Sequence, residues 1–376
     1  MRLKPRPRAA VAVVVCAVAA ASATVAGASS SSSSVVARLT LSQLAGQRII
    51  YAYSGLNPPQ SLLARIRAGE AAGVIFFGGN ISSPAQLRAT VGELQRANAA
   101  SPVHAPLMMM MDQEGGLVNR LPGAPLLSEK AIGANPNGQT LAAQAGAGAG
   151  ANLIAAGITV DLAPVLDVFR QSGNFIDQAQ RSYSMNPATV ARLSRAFISH
   201  LQQAGVAATA KHFPGLGAAT TDQDTDARPV ELGVPLRQLR QVDEEPYRSA
   251  IAAGVKLVMV SWAVYPALDP RMPAGLSPKV IGGELRTRLG FRGVTITDSL
   301  GAGALTPFGS YAQRGILAAR AGADLILCAT TAPGGNTPTE GVQVLTRLTS
   351  ALATHALSRI AAEQAAARVI ALRAHP

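Results

Sequence analysis

Apolar residues fall along this chain in short runs that are apolar at consecutive rather than alternate positions, the pattern of strands buried on both faces in a parallel sheet. The runs occupy residues 48–53, 74–77, 107–111, 159–162, 207–210, 257–260, 294–297 and 324–328. A repeated punctuation precedes several of them. A helix-like stretch ends in Ala-Gly and the apolar run begins at once, at Ala72-Gly73, Ala156-Gly157, Ala204-Gly205, Ala253-Gly254 and Ala321-Gly322. Glycine there supplies the left-handed residue that stops a helix. The intervening stretches carry helix starts of the cap-then-proline kind, at Ser83-Pro84, Asn186-Pro187 and Ser277-Pro278. Eight alternating β and α units predict an α/β fold, a single (β/α)8 TIM-type barrel. A doubly wound open sheet is the alternative, but no glycine-rich phosphate turn follows the first run.

In such a barrel the chemistry sits at the C-terminal ends of the strands. The third run is followed by Asp112-Gln113-Glu114-Gly115-Gly116. The fourth contains Asp161 and leads to Asp167. The fifth leads into Lys211-His212, the sixth into Ser261-Trp262 and the seventh into Asp298. Chargeable groups at one end of an apolar barrel must be paired or used, because burying them alone is costly. A salt-bridge layer that closes the barrel is the plain structural reading. Five strands bringing such groups to one face point instead to a site. Residues 167–186, with Arg181, and 212–234, rich in Gly, Thr and Asp, read as long functional loops over that face.

Composition changes the picture mainly at the N-terminus. Arg2, Lys4, Arg6 and Arg8 precede an apolar run over 9–21 and then Ala26-Gly27-Ala28, the order of a secretory leader. The run is short for a transmembrane anchor and has no basic stop after it. Val13-Val14-Val15 before Cys16 do not suit lipid attachment, and 29–34 is an unbroken serine run. The expected organisation is a leader over 1–28, a Ser-rich spacer over 29–37 and the barrel over 38–376. The mature protein is expected to be a monomer without a membrane span, secreted or held at the cell envelope. Loss of the four leader cations takes the formal charge from +12 to +8. The remaining positives are dispersed, with no basic stripe interleaved with aromatics, which argues against nucleic-acid binding. Cys328 is then the one cysteine left, so no intrachain disulfide or Cys/His zinc spacing is available, and its apolar run predicts a buried, inert thiol.

Four motifs, in this order, resemble glycoside hydrolase family 3. They are Asp112-Gln113-Glu114-Gly115-Gly116, Leu162-Ala163-Pro164-Val165-Leu166-Asp167, Lys211-His212-Phe213-Pro214-Gly215, and Gly290-Phe291-Arg292-Gly293-Val294 leading to Thr297-Asp298. The likeness runs from about Leu41 to the last helix and looks most like the single-domain β-N-acetylhexosaminidase branch. The resemblance implies that Asp298 is the nucleophile that forms a covalent glycosyl-enzyme. It implies that Asp112, Arg120, Arg181, Lys211 and His212 hold the sugar hydroxyls and shape the pocket. These residue types suit the chemistry. A retaining mechanism needs a carboxylate beneath the anomeric carbon, and Arg and Lys donate to sugar oxygens and keep nearby carboxylates ionised. The structural readings beside these are a helix N-cap for Asp298 and a packed core histidine for His212. Trp262 stands where the family has a histidine, and offers either a stacking face or bulk.

The loop after the fifth run departs from the family. There the branch carries Gly-His-Gly and then an Asp-x-His pair whose histidine is the general acid and base. Here the chain reads Gly215-Leu216-Gly217-Ala218-Ala219-Thr220-Thr221-Asp222-Gln223-Asp224-Thr225-Asp226, with no histidine after His212, and Leu117 replaces an expected arginine. Asp222 matches the family's aspartate, and the histidine's place falls on Asp224, or on Thr225 with a one-residue shift. One of Asp222, Asp224 and Asp226 acts as the acid, or leaving groups are protonated poorly, or the protein binds sugar without turnover. A solvated turn is the plain reading of the cluster. Aspartate at every second position without the EF-hand glycine and glutamate does not make a calcium loop, and no metal or cofactor is expected. The sequence therefore predicts an exported retaining exo-β-glycosidase acting on terminal β-N-acetylglucosaminides of cell-wall or chitin-type glycans. Asp298 attacks, Asp224 serves as acid and base with Asp222 orienting it, and Asp112, Arg120, Arg181, Lys211 and His212 bind substrate. Its rivals are a catalytically impaired glycan-binding homologue and a β-glucosidase of the same family.

Overall fold

The eight apolar runs become eight parallel strands: β1 Ile49–Tyr51, β2 Gly73–Ile75, β3 Met108–Met111, β4 Val160–Asp161, β5 Ala207–Phe213, β6 Leu257–Val260, β7 Val294–Thr297 and β8 Ile326–Cys328. This computed structural model describes residues 34–376 apart from 331 and 333. The leader and most of the serine run therefore lie outside the described residues. Neighbouring strands pair in the order β7-β6-β5-β4-β3-β2-β1-β8. A parallel bridge between Ile296 and Leu325 brings β7 against β8 and closes the ring. The result is the expected (β/α)8 barrel, and an open doubly wound sheet is excluded.

The helices of eight or more residues outside the ring are α1 Gln60–Arg67, α2 Pro84–Ala99, α3 Gly138–Ala156, α4 Pro187–Gln203, α5 Glu245–Ala252, α6 Tyr311–Ala321, α7 Pro338–Ala353 and α8 Arg359–Ala374, with a ten-residue π-helical segment at Lys279–Arg288 after β6. Alternation along each strand divides the core. Ile50, Met108, Met110, Met259, Ile296 and Leu327 belong to the cluster inside the barrel. Tyr51, Met109, Met111, Val258, Val260 and Cys328 belong to the larger cluster under the helices. Both faces of each strand are thus covered, which is why the runs are apolar at consecutive positions. Cys328 is a buried free thiol, and burial raises its pKa.

The local signals act as their chemistry requires. Ser83 and Asn186 cap α2 and α4 with proline at the first helical position, and Ser277 Oγ accepts the Val280 N–H. Gly157, Gly205, Gly254 and Gly322 all take the left-handed conformation where a helix stops. Gly73 differs. The preceding helix ends at Gly69, with φ +76°, while Gly73 lies inside β2. A Cβ on Gly73 would stand 2.6 Å from the Met108 carbonyl oxygen and 2.8 Å from its Cβ. Glycine is needed there for close approach of β2 and β3, not for a turn. Strand β5 is also longer than its apolar run. After an irregularity between Ala210 and Phe213 it pairs again, Phe213 opposite Val260, so Lys211 and His212 stand on the strand itself.

Gly73→Ala is expected to lower unfolding stability by about 1–3 kcal/mol, the usual penalty for overpacking a tight core. Urea denaturation followed by circular dichroism measures it. An unchanged midpoint would show that β2 and β3 separate freely.

Candidate active site

A pocket of about 520 Å³ opens at the C-terminal ends of the strands. Its wall takes Tyr53 and Asn80 from the loops after β1 and β2, Asp112 and Arg120 from the segment after β3, and Arg181 from the loop after β4. Lys211 and His212 come from β5, Asp226 from the loop that follows it, and Asp298 from the end of β7. Asn80 ties the first two loops together. Its Nδ2 donates to the Tyr53 and Gly55 carbonyls at 3.0 and 2.8 Å, and its Oδ1 accepts the Phe77 N–H.

The floor is an ion lattice. The Lys211 ammonium, 1% exposed, lies 2.7 Å from Asp112 Oδ1 and 2.7 Å from Glu114 Oε1. Arg181 makes a two-pronged contact with Glu114, Nε and Nη2 each at 2.9 Å, the strong geometry for a guanidinium and a carboxylate. Arg120 Nη2 approaches Asp112 Oδ2 at 3.7 Å. Burial alone would raise the Glu114 carboxyl, but Arg181 and Lys211 outweigh it and bring it down to about 2. Asp112 follows the same logic: burial opposes ionisation, while Lys211 and Arg120 hold it below the ordinary value. Burial would lower the Lys211 ammonium, yet Asp112 and Glu114 raise it. Beneath this layer Glu129 and Asp161 are buried with a single backbone partner each, from Val165 and Gln113. Burial raises both carboxyls well above their ordinary values.

His212 is held from both sides. Its Nδ1 lies 2.8 Å from Asp167 Oδ2 and its Nε2 lies 3.4 Å from Arg181 Nη2. With Nδ1–H donating to Asp167, Nε2 is left to accept from the guanidinium. Asp167 also accepts the Leu216 N–H at 2.7 Å, so it fixes the start of the following loop. The turn that carries Arg120 is organised by Gln113, whose Oε1 accepts the Arg120 and Leu121 N–H groups at 3.1 and 3.0 Å.

Asp298 lies half-buried on the pocket wall at the end of β7, with Oδ1 accepting the Ser299 N–H at 2.6 Å. No regular helix starts at this point, so the residue is not a helix cap. The chain after it is pinned on two sides. Trp262 Nε1 donates to the Ser299 carbonyl at 2.8 Å, and Ser299 Oγ donates to the Ala329 carbonyl at 2.7 Å. Trp262 is fully buried and absent from the pocket wall, so it supplies bulk and one anchoring hydrogen bond rather than a face for sugar.

The loop after β5 corrects one expectation. Neither Asp222 nor Asp224 is on the pocket wall; Thr225 and Asp226 are. Asp222 is exposed and accepts the Thr220 hydroxyl at 2.6 Å, which lowers its pKa. Asp224 Oδ1 accepts the Asp226 N–H at 2.8 Å, a turn that keeps its carboxylate in the loop and leads Asp226 inward. The structure thus brings together Asp298, Asp112, Arg120, Arg181, Lys211 and His212, and leaves Asp222 and Asp224 outside. Glu114, Asp167 and Gln113 were not singled out from sequence as individual site residues, although all three stand in the strand-end motifs. Among the described residues no group of three or more histidine, cysteine or acidic side chains could hold a metal ion.

Comparison with known proteins finds likeness along most of the chain. The model of the glycosyl hydrolase family 3 N terminal domain matches residues 38–372. A protein of Arthroderma benhamiae named an uncharacterized secreted glycosyl hydrolase is 43% identical over 337 residues, covering 89% of this chain and 94% of the relative. A β-hexosaminidase of Nitrosomonas eutropha is 34% identical over 287 residues, 73% of this chain and 77% of that protein. Among solved structures, a family 3 β-N-acetylglucosaminidase from Paenibacillus superposes with a TM-score of 0.82 at 34% identity. The match covers 89% of this chain and only 62% of that longer one. A β-N-acetylhexosaminidase from Beutenbergia cavernae gives 0.80 at 30% identity, covering 89% of this chain and 98% of that one.

The lattice makes stability depend on pH in a defined direction. Glu114 has an ordinary value of 4.5 and is brought to about 2 in the fold, so its contribution is complete above 4.5 and is lost as pH falls through 2. Glu114→Gln is expected to lower stability near neutral pH by about 3–5 kcal/mol, the penalty for breaking a buried pair, and the gap to wild type is expected to close in acid. Urea midpoints across that range test this. Parallel pH curves for the two proteins would contradict it.

Proposed function

Since the chain belongs to glycoside hydrolase family 3, we propose that it is a retaining exo-β-glycosidase that removes terminal β-linked N-acetylglucosamine through a covalent glycosyl-enzyme on Asp298. The observation that carries this reading is the single carboxylate at the end of β7, which lines the same pocket as Lys211, Asp112, Arg181 and His212. Asp298 suits the anomeric carbon, and the charged cluster suits the hydroxyls of a single terminal sugar. Asp298 has one oxygen fixed by the Ser299 N–H, and its other oxygen has no hydrogen-bond partner among the described residues. A carboxylate so placed is oriented for attack on the anomeric carbon. Arg120 and the outward oxygen of Asp112 offer a donor and an acceptor to neighbouring hydroxyls.

The choice of an N-acetylglucosaminide rests on the relatives, several of which are named β-hexosaminidases or β-N-acetylglucosaminidases. Export through a leader over 1–28 is part of the same proposal, in keeping with the name of the Arthroderma benhamiae relative. Among the described residues no helix is long and apolar enough to cross a membrane.

Asp298→Asn is expected to reduce turnover of 4-nitrophenyl β-N-acetylglucosaminide by about 10³-fold or more, since removal of a covalent nucleophile forfeits the whole two-step route. An activated 5-fluoro N-acetylglucosaminide is expected to label wild type, with the added mass on the peptide containing Asp298. Adduct formation on another residue would move the nucleophile. Wild type that releases glucose, but no N-acetylglucosamine, from the matching nitrophenyl glycosides would move the substrate class to β-glucosides.

A further inference from the structure

A retaining mechanism needs a second group, one that protonates the departing oxygen and later takes a proton from water. The pocket wall offers few candidates. Asp112 is locked in contact with Lys211 and faces Arg120. His212 has both ring nitrogens engaged, by Asp167 and Arg181. Lys211 is enclosed by two carboxylates. Asp226 remains. Its carboxyl makes no ion pair or hydrogen bond among the described residues and shares the wall with Asp298.

We infer that Asp226 is the general acid and base of the reaction, in the place that a loop histidine would otherwise fill. The inference rests on the reading of Asp298 as nucleophile. Main-chain hydrogen bonds tie the loop that carries Asp226 to the segment after β7. The Gly303 N–H donates to the Asp226 carbonyl at 2.7 Å and the Ala304 N–H donates to the Thr225 carbonyl at 3.0 Å. Both donors lie on the segment that follows Asp298. Thr225 is buried, and Asp224 Oδ1 turns the chain by accepting the Asp226 N–H. The backbones that carry the two carboxyls are therefore hydrogen-bonded to one another.

Electrostatics suit the task. Packing against the pocket wall, then the Asp298 and Asp224 carboxylates, push the Asp226 carboxyl up to about 7 against the pull of Arg181 and His212, although the outer edge of the residue is open to solvent. In the first step an Asp298 oxygen bonds to the anomeric carbon. The bond from that carbon to the leaving oxygen breaks with its electron pair, and that oxygen takes the Asp226 proton. Esterification removes the Asp298 charge, so the main charge that raised Asp226 is gone and the residue remains a carboxylate. In the second step Asp226 takes a proton from water while the water oxygen bonds to the anomeric carbon. The ester bond breaks with its pair returning to Asp298. Asp226 is protonated again and the sugar leaves with its β configuration retained.

Asp226→Asn should lose hydrolysis of N,N′-diacetylchitobiose by about 10²–10⁴-fold. Release of nitrophenolate from the nitrophenyl glycoside, a leaving group that departs with little protonation, should keep a rapid burst before slow turnover. Azide needs no base, so it should speed that turnover and give the β-glycosyl azide. The fall of wild-type kcat/KM above about pH 7, expected from loss of the Asp226 proton, should vanish in the variant with the nitrophenyl substrate. Equal activity of Asp226→Asn on both substrates would overturn the inference while leaving the hydrolase reading intact. So would transfer of the same losses and azide response to Asp224→Asn. Wild type silent on both substrates would sink the nucleophile reading and this one with it.

Discussion

A lysine ammonium with almost no contact with solvent has to be neutralised by whatever surrounds it, and Lys211 is in that position at the end of β5. Two carboxylates reach it, Asp112 and Glu114, both from the segment that leaves β3. Glu114 in turn demands a second cation, which Arg181 brings from the loop after β4. Three neighbouring strand ends are thereby locked to one another. Such a lattice is a weak source of net stability, because desolvating its ions offsets most of their attraction. What it fixes is position: it sets where Arg181, His212 and Asp112 stand, and with them the shape of the pocket wall.

How much of this is legible in sequence depends on how local the cause is. The eight strands are legible because each is apolar on both faces, and four of the five Ala-Gly pairs end helices through the left-handed glycine itself. Gly73 fits the same pattern for a different reason, the close approach of Met108, which no local pattern announces. The site residues on strand ends follow from the barrel geometry: Asp112, Lys211, His212 and Asp298 lie where the strands stop. Glu114 and Asp167 stand in the same motifs, yet their importance lies in partners 67 and 45 residues away.

The loop after β5 is where reading from sequence runs out. Aspartates at 222, 224 and 226 are equivalent by spacing. Which one turns inward is decided by the Asp224 side chain caught on the Asp226 N–H and by the main chain of Gly303 and Ala304. Those last contacts span more than seventy positions and depend on glycine at 303, where a Cβ would collide with the Ala227 main chain. Alignment to a family pattern selects Asp224; backbone hydrogen bonding selects Asp226. Trp262 is a similar case. Its place in the family pattern suggests a group facing substrate, whereas its indole is buried and anchors the Ser299 carbonyl beside Asp298.

The distribution of charge then separates the pocket groups by function. Every cation on the floor is paired: Lys211 contacts Asp112 and Glu114, and Arg181 contacts Glu114. None forms an ion pair with Asp298 or Asp226. Had Lys211 or Arg181 been free to pair with Asp298, its charge would be screened from Asp226, and the proton on Asp226 would be lost at lower pH. The deep lattice therefore serves the chemistry indirectly. By using up the available cations on carboxylates that only bind and position, it leaves the two pocket carboxyls to act on each other. On the reading proposed above, the Asp298 charge, unpaired by any lysine or arginine, is then left to raise the neighbouring Asp226 carboxyl, the arrangement in which one group attacks while the other donates.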